Sequence, residues 1–170
     1  LIVPQNSKSI ISESFRSIRT NLQYLAIDKT KKVITVTSSI GGEGKTFCSM
    51  NLASIFALSG NKTIIIGADL RKPKLELEFK SENKKGLSNY LINKATLKEV
   101  TNKTDVDHLD IIFSGPTPPN PAELLDSAKM KNLINELNKK YDYVIIDTPP
   151  IGLVTDGVIL MKNADINLYV

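Results

Sequence analysis

The chain alternates short apolar runs with longer stretches in which apolar residues recur every three or four positions. The runs rich in β-branched residues are VITVT at 33–37, TIII at 63–66, LDIIF at 109–113, YVIID at 143–147 and INLYV at 166–170. Several are nearly continuous in apolar character, the pattern of strands covered on both faces. Helical spacing fills the intervals, most clearly at 45–58 and 121–140. Strands alternating with crossover helices predict an α/β fold: a doubly wound, mainly parallel sheet with helices on both sides. Ahead of the first strand, Ile11, Phe15, Ile18, Leu22 and Leu25 fall at i, i+4, i+7, i+11 and i+14. That spacing puts them on one face of a helix in an N-terminal arm, residues 1–30, with 31–170 as the main domain. Glu13 and Arg16 project from the other side, and Arg19 sits nearer the apolar border. They form either a solvated face with an i, i+3 ion pair or a contact with a neighbouring subunit.

Bulk composition narrows the classes. At 170 residues, 41% hydrophobic and 24% charged, the chain has the makeup of one ordinary globular domain. No apolar run approaches the roughly 20 residues that span a bilayer. Cys48 has no second cysteine to pair with, which fits a reducing compartment. The net charge of +4 comes from small scattered clusters (Lys29, Lys31 and Lys32; Arg71, Lys72 and Lys74; Lys84 and Lys85; Lys139 and Lys140) with no interleaved aromatics, so nucleic acid is not an expected partner. His108 has no partner at metal-ligand spacing. The chain opens on Leu1 and stops at Val170 inside an apolar run, and is read as part of something longer.

The chemistry gathers at SIGGEGKT, residues 39–46, between the strand at 33–37 and the helix at 45–58. Gly41, Gly42 and Gly44 permit positive φ and close approach of the backbone, so successive N–H groups can face phosphate oxygens. The helix that begins near Lys45 adds the partial positive charge of its N-terminus. Lys45 can bridge β- and γ-phosphates, and the Thr46 hydroxyl can ligate magnesium. This is the P-loop pattern, with Ser39 where the first glycine usually stands. YDYVIIDTPP ends a buried strand at Asp147, placed either to orient the metal's water shell or simply to make a turn, and TIIIGADLRKP follows another strand with Asp69, which could also close a turn or cap a helix. All three lie at carboxyl ends of expected parallel strands, where doubly wound sheets bind ligands. SGPTPPNPAELLDS, 114–127, reads as an Asn120 N-cap, Pro121 at N1 and a Glu123 capping box, with the prolines before it able to wall a base pocket. Thr155 and Asp156 open a short helix.

Taken together, these segments resemble the bacterial tyrosine kinases, the P-loop autokinases of capsular and exopolysaccharide export, over nearly the whole chain. ESFRSIRTNL resembles that family's oligomerisation motif, with Glu13, Arg16 and Arg19 at the matching positions. GGEGKT resembles its Walker A, IIIGADLRKP its second Walker motif and YDYVIIDTPP its Walker B; GLSNYL and PPNPAELL are also familiar in it. The resemblance implies ATP and Mg²⁺ as cofactors. Gly41, Gly42, Glu43, Gly44, Lys45, Thr46 and Phe47 would bind the nucleotide. Thr46, Asp69 and Asp147 would organise the metal, and Lys45, Asp69 and Asp147 would be catalytic. One carboxylate would take the proton of a tyrosine whose free pKa is ~10.

It also implies a ring of subunits at the cytoplasmic face of the inner membrane, each offering a C-terminal tyrosine tail to its neighbour. A membrane-spanning activating segment, fused or separate, and a cognate phosphatase complete the expected partners. Two departures stand out. The second Walker motif usually carries an Asp–x–Asp pair, but here its first member is Gly67. No tyrosine-rich tail is present, and Tyr24, Tyr90, Tyr141, Tyr143 and Tyr169 are dispersed. The competing readings are a partitioning ATPase, whose early P-loop lysine would fall at Ile40, and a nucleotide-gated assembly module with little catalysis.

Overall fold

A computed structural model describes residues 8–25, 32–79 and 85–170. Lys29, Lys31, Lys84 and the arm's residues 1–7 and 26–30 lie outside these. The elements are α1 (Ile10–Leu25), β1 (Lys32–Thr37), α2 (Lys45–Leu58), β2 (Thr63–Gly67), α3 (Leu75–Glu78), α4 (Leu87–Leu91), α5 (Leu97–Val100), β3 (Thr101–Lys103), β4 (Leu109–Ile112), α6 (Pro121–Asp126), α7 (Ala128–Lys140), β5 (Tyr143–Asp147), α8 (Asp156–Met161) and β6 (Ile166–Tyr169). The sheet order is β3-β4-β2-β5-β1-β6, parallel except where β3 pairs antiparallel with β4. Every strand expected from the apolar runs is present. The polar β3, TNK, carries no such signal and forms because β4 offers it an open edge.

The period of two along each strand divides the interior in half. Ile34, Val36, Ile65, Ile111 and Ile145 pack against Met50, Leu52 and Phe56 of α2. Val33, Ile64, Ile66, Val144 and Ile146 pack against Met130, Leu133, Ile134 and Leu137 of α7. The doubly wound, three-layer α/β/α reading of the alternating pattern is thus realised. Helix α2 is buried over most of its circumference because the sheet covers one side and α1 the other.

Of the five apolar residues sharing one face of α1, Phe15 and Leu22 are buried, while Ile11, Ile18 and Leu25 remain 43%, 39% and 74% exposed. Phe15 and Leu22 are seven residues apart and form a narrow stripe that meets α2, with the Phe15 ring 6.1 Å from that of Phe47. The flanking positions find nothing to cover them within the described residues. The pattern at 121–140 divides at Ser127, whose backbone turns extended and whose Oγ accepts from the Met130 N–H at 3.2 Å, capping α7. The capping box at Asn120 does not close on the backbone; instead its Nδ2 donates to Glu123 Oε2 at 2.8 Å. Among the described residues no helix is long and apolar enough to cross a membrane.

The GLSNYL segment is held by main-chain pairing, Leu87 N–H to Phe113 C=O at 2.7 Å and Ser88 N–H to Ser114 C=O at 3.0 Å. This draws Gly86 so close that a Cβ there would lie 2.4 Å from the Phe113 oxygen and 2.3 Å from the Gly115 nitrogen. Both obstacles are backbone and cannot rotate away. Gly86→Ala is therefore expected to cost about 3 kcal/mol in urea unfolding. Gly41→Ala, where a Cβ meets nothing within 4 Å, should leave the midpoint unchanged.

Candidate active site

Strand β1 delivers the chain into the 38–44 loop, and Gly44 serves as N-cap of α2. Gly42 and Gly44 have φ of 97° and 100°, a conformation that side-chain-bearing residues rarely adopt. A Cβ added at Gly41, Gly42 or Gly44 would meet nothing within 4 Å, so the cradle opens outward. The Glu43 carboxylate braces the loop from within, accepting from the Ile40 N–H at 2.9 Å.

Parallel register then sets the acidic partners. Asp147 at the end of β5 aligns with Val36 of β1 on one side and Gly67 of β2 on the other. Lys45 Nζ lies 3.3 Å from Asp69 Oδ2 and 3.8 Å from Asp147 Oδ1. The Thr46 hydroxyl donates to Asp147 Oδ2 at 2.8 Å, and Ser49 Oγ lies 3.0 Å from Oδ1. Asp69 Oδ1 accepts the N–H groups of Arg71 and Lys72 at 3.3 and 3.0 Å. The structure thus brings Lys45, Thr46, Asp69 and Asp147 into one network. Ser49 joins it without having been expected, although its place one helical turn beyond Lys45 could have signalled it.

Lys45, Thr46 and Asp69 of this network border a cavity of about 600 Å³. The P-loop glycines, Lys45, Thr46 and Phe47 form one wall, Asp69, Arg71, Lys72, Lys74 and Glu78 another, and Pro149, Pro150, Leu153 and Val154 the third. The prolines at 116–119, read as able to wall a base pocket, take no part in this lining, whereas Pro149 and Pro150 do. Glu13 and Arg16 pair with each other on α1, Arg19 reaches the Ser59 hydroxyl at the end of α2, and none of the three borders the cavity.

The donor set fits a phosphate-bound magnesium. The described residues hold no group of three or more His, Cys, Asp or Glu that would cage a metal alone. Magnesium normally keeps waters and substrate phosphates and takes only one or two protein carboxylates, which Thr46, Asp147 and Asp69 can match. Burial raises the Asp147 pKa above the ordinary carboxylate range, with Lys45 and the Thr46 and Ser49 hydroxyls opposing that shift.

Gly67 explains itself sterically. A Cβ there would fall 2.8 Å from Ser114 Oγ, 3.1 Å from Leu75 Cδ1 and 3.2 Å from the Ser114 nitrogen. That nitrogen donates to Glu76 Oε1 at 2.8 Å. Asp69 is left as the carboxylate this motif presents to Lys45.

A phosphate cradle at the first strand-to-helix turn, with its lysine and hydroxyl tied to a strand-end aspartate, defines a P-loop nucleotide-binding domain, and residues 31–167 match the AAA domain family model. The chain is 44% identical over 165 residues to the tyrosine-protein kinase YwqD of Bacillus subtilis (strain 168), covering 97% of this chain and 70% of that protein. It belongs to the bacterial tyrosine-protein kinase family. The crystal structure of the chimerical protein CapA2B2 superposes with a TM-score of 0.95 at 41% identity, covering 99% of this chain and 74% of that one. The septum site-determining protein MinD of Pyrococcus horikoshii OT3, complexed with Mg-ADP, gives a TM-score of 0.71 at 26% identity over 82% of this chain and 57% of its own. The chain spans 23% of the length of the tyrosine-protein kinase ptk of Acinetobacter johnsonii, to which it is 38% identical.

Two measurements test this geometry. Gly67→Asp is expected to destabilise the fold by about 1–3 kcal/mol, with part of the loss recovered when Ser114→Gly is added. For Asp147, the raised native pKa means that the folded chain takes up the proton before the unfolded one. Its contribution to the stability of the ligand-free protein therefore rises as pH falls from that raised value toward the ordinary carboxylate value. Magnesium affinity should fall across the same window. Asp147→Asn removes one of the two carboxylates beside Lys45 and should abolish magnesium-dependent nucleotide binding, read by calorimetry.

Proposed function

We propose that this domain transfers the γ-phosphate of Mg·ATP to tyrosine hydroxyls in the C-terminal tail of a neighbouring subunit, and so regulates the polymerisation and export of capsular or exopolysaccharide. The observation that carries the reading is Lys45, buried at 5% exposure between Asp69 and Asp147, with Thr46 bonded to the second. Family membership supports the tyrosine as acceptor.

In this reading the backbone N–H groups of 41–44 and the start of α2 bind the β-phosphate, and Lys45 shifts from the carboxylates onto the β,γ-oxygens. Thr46 and Asp147 would hold magnesium, which when bound neutralises charge gathering on the transferred group. Asp69, which lines the cavity, takes the phenol proton. That step is needed because a phenol is almost wholly protonated at neutral pH. Leu153, Val154 and Phe47 offer an apolar rim for the acceptor ring.

The same reading places Glu13, Arg16 and Arg19 at a subunit contact in a ring, next to the exposed Ile11 and Ile18 on α1. It places the domain at the cytoplasmic membrane face beside a membrane-spanning activating segment, with a phosphatase as its antagonist. A partitioning ATPase shares this fold, as the likeness to MinD illustrates. Ile40, 55% exposed, stands where such a protein would carry the lysine that reaches across a dimer, and cannot supply that charge.

The test is phosphotransfer from labelled Mg·ATP in the full-length protein with its activating segment. Lys45→Met is expected to lower phosphotyrosine formation by at least about 100-fold. ATP turnover with ATP-driven dimerisation and no phosphotyrosine would overturn the proposal in favour of the partitioning class.

A further inference from the structure

Asp156 is fully buried at the first turn of α8, and both of its carboxylate oxygens are committed to a single partner. Arg71 Nε donates to Oδ2 at 2.8 Å and Nη2 to Oδ1 at 3.1 Å, a two-pronged pair between segments 85 residues apart. The guanidinium is 42% exposed and borders the cavity, so water could satisfy it without Asp156.

What the pair links is informative. Arg71 belongs to the turn whose N–H groups, with that of Lys72, fix Asp69 Oδ1. Asp156 belongs to a segment already fastened to the base of the P-loop. Ile151 N–H donates to the Ser38 carbonyl at 2.9 Å, and Gly152 N–H donates to the Ser39 carbonyl at 3.0 Å. The start of α8 is seated tightly on that segment, since a Cβ at Gly157 would come within 2.8 Å of both Ile151 Cγ2 and the Pro149 oxygen. A continuous path therefore runs from the P-loop base through 151–157 to Arg71 and on to Asp69.

We propose that Asp156 is a positioning residue for phosphoryl transfer: through Arg71 it holds the 69–72 turn, and with it the Asp69 carboxylate, in register with Lys45 and the P-loop. The proposal rests on the reading that Asp69 acts in the transfer step. Its effect falls on the chemical step, because the P-loop cradle itself does not depend on the pair, and a displacement of ~1 Å in a reacting group can cost on the order of 100-fold in rate.

The experiment is a mutant cycle in the full-length protein with its activating segment, measuring phosphotyrosine formation over a range of Mg·ATP. Asp156→Asn and Arg71→Gln are each expected to lower kcat about 10- to 100-fold while the KM for ATP stays within about twofold. The double variant should be no slower than the slower single, because the two residues act as one unit, and Arg71→Lys should keep part of the rate. Multiplicative losses in the double variant, or a raised KM with kcat retained, overturn the proposal. Asp69→Asn runs in parallel. If it loses kcat while the pair variants keep theirs, the positioning role falls alone; if Asp69→Asn keeps kcat, the reading of Asp69 beneath it falls. Should Asp156→Asn fail to fold, the half-exposed Arg71→Gln and Arg71→Lys carry the same kcat-against-KM test.

Discussion

The site depends on a buried ammonium group. An unpaired lysine charge inside a protein is costly, and Lys45, 5% exposed, is stabilised only because two carboxylates reach it. One carboxylate, Asp69, follows β2 and the other, Asp147, ends β5, far apart in the chain, and the sheet makes them neighbours. Asp147 in turn is buried at 2% and draws on Thr46 and Ser49 of the helix that carries Lys45. Cation, acid and hydroxyls thus hold one another in place. A polyphosphate brings the same kind of negative charge that the lysine already requires.

The rest of the fold supplies rigidity to that arrangement. Strands β1, β2 and β5 are covered on both faces, so the loops at their carboxyl ends spring from fully buried supports. Helix α1 covers the outer side of α2 through Phe15 and Leu22, and the Phe15–Phe47 ring contact ties that cover to a residue of the cavity wall. The Asp156–Arg71 pair joins the 69–72 turn to the start of α8 with a bond whose two prongs fix direction as well as distance.

How much of this was legible can be judged from particular residues. Lys45, Thr46, Asp69 and Asp147 were readable because each follows a recognisable strand, and parallel sheets gather strand ends at one edge. The limits of α2 were equally plain, with Gly44 before it and an apolar run through it. The split at Ser127 was not, since its residues keep helical spacing on both sides and only the extended backbone of the cap interrupts them. How much of the arm's apolar face is buried was not legible either: periodicity reveals which residues share a face but not how wide a surface lies opposite.

The sequence by itself determined the class of fold, the strand ends and the phosphate-binding loop, because these follow from local periodicity, glycine conformation and residue order. Tertiary structure alone decided which carboxylates touch Lys45, that Ser49 joins them, that Pro149 and Pro150 rather than the 116–119 prolines wall the cavity, and that Asp156 faces Arg71. It also decided that a side chain at position 67 would crowd Ser114 and Leu75. The physical reason is the same throughout. Each of these contacts joins segments distant in the chain, and their meeting is set by sheet order and close packing, which no local pattern encodes.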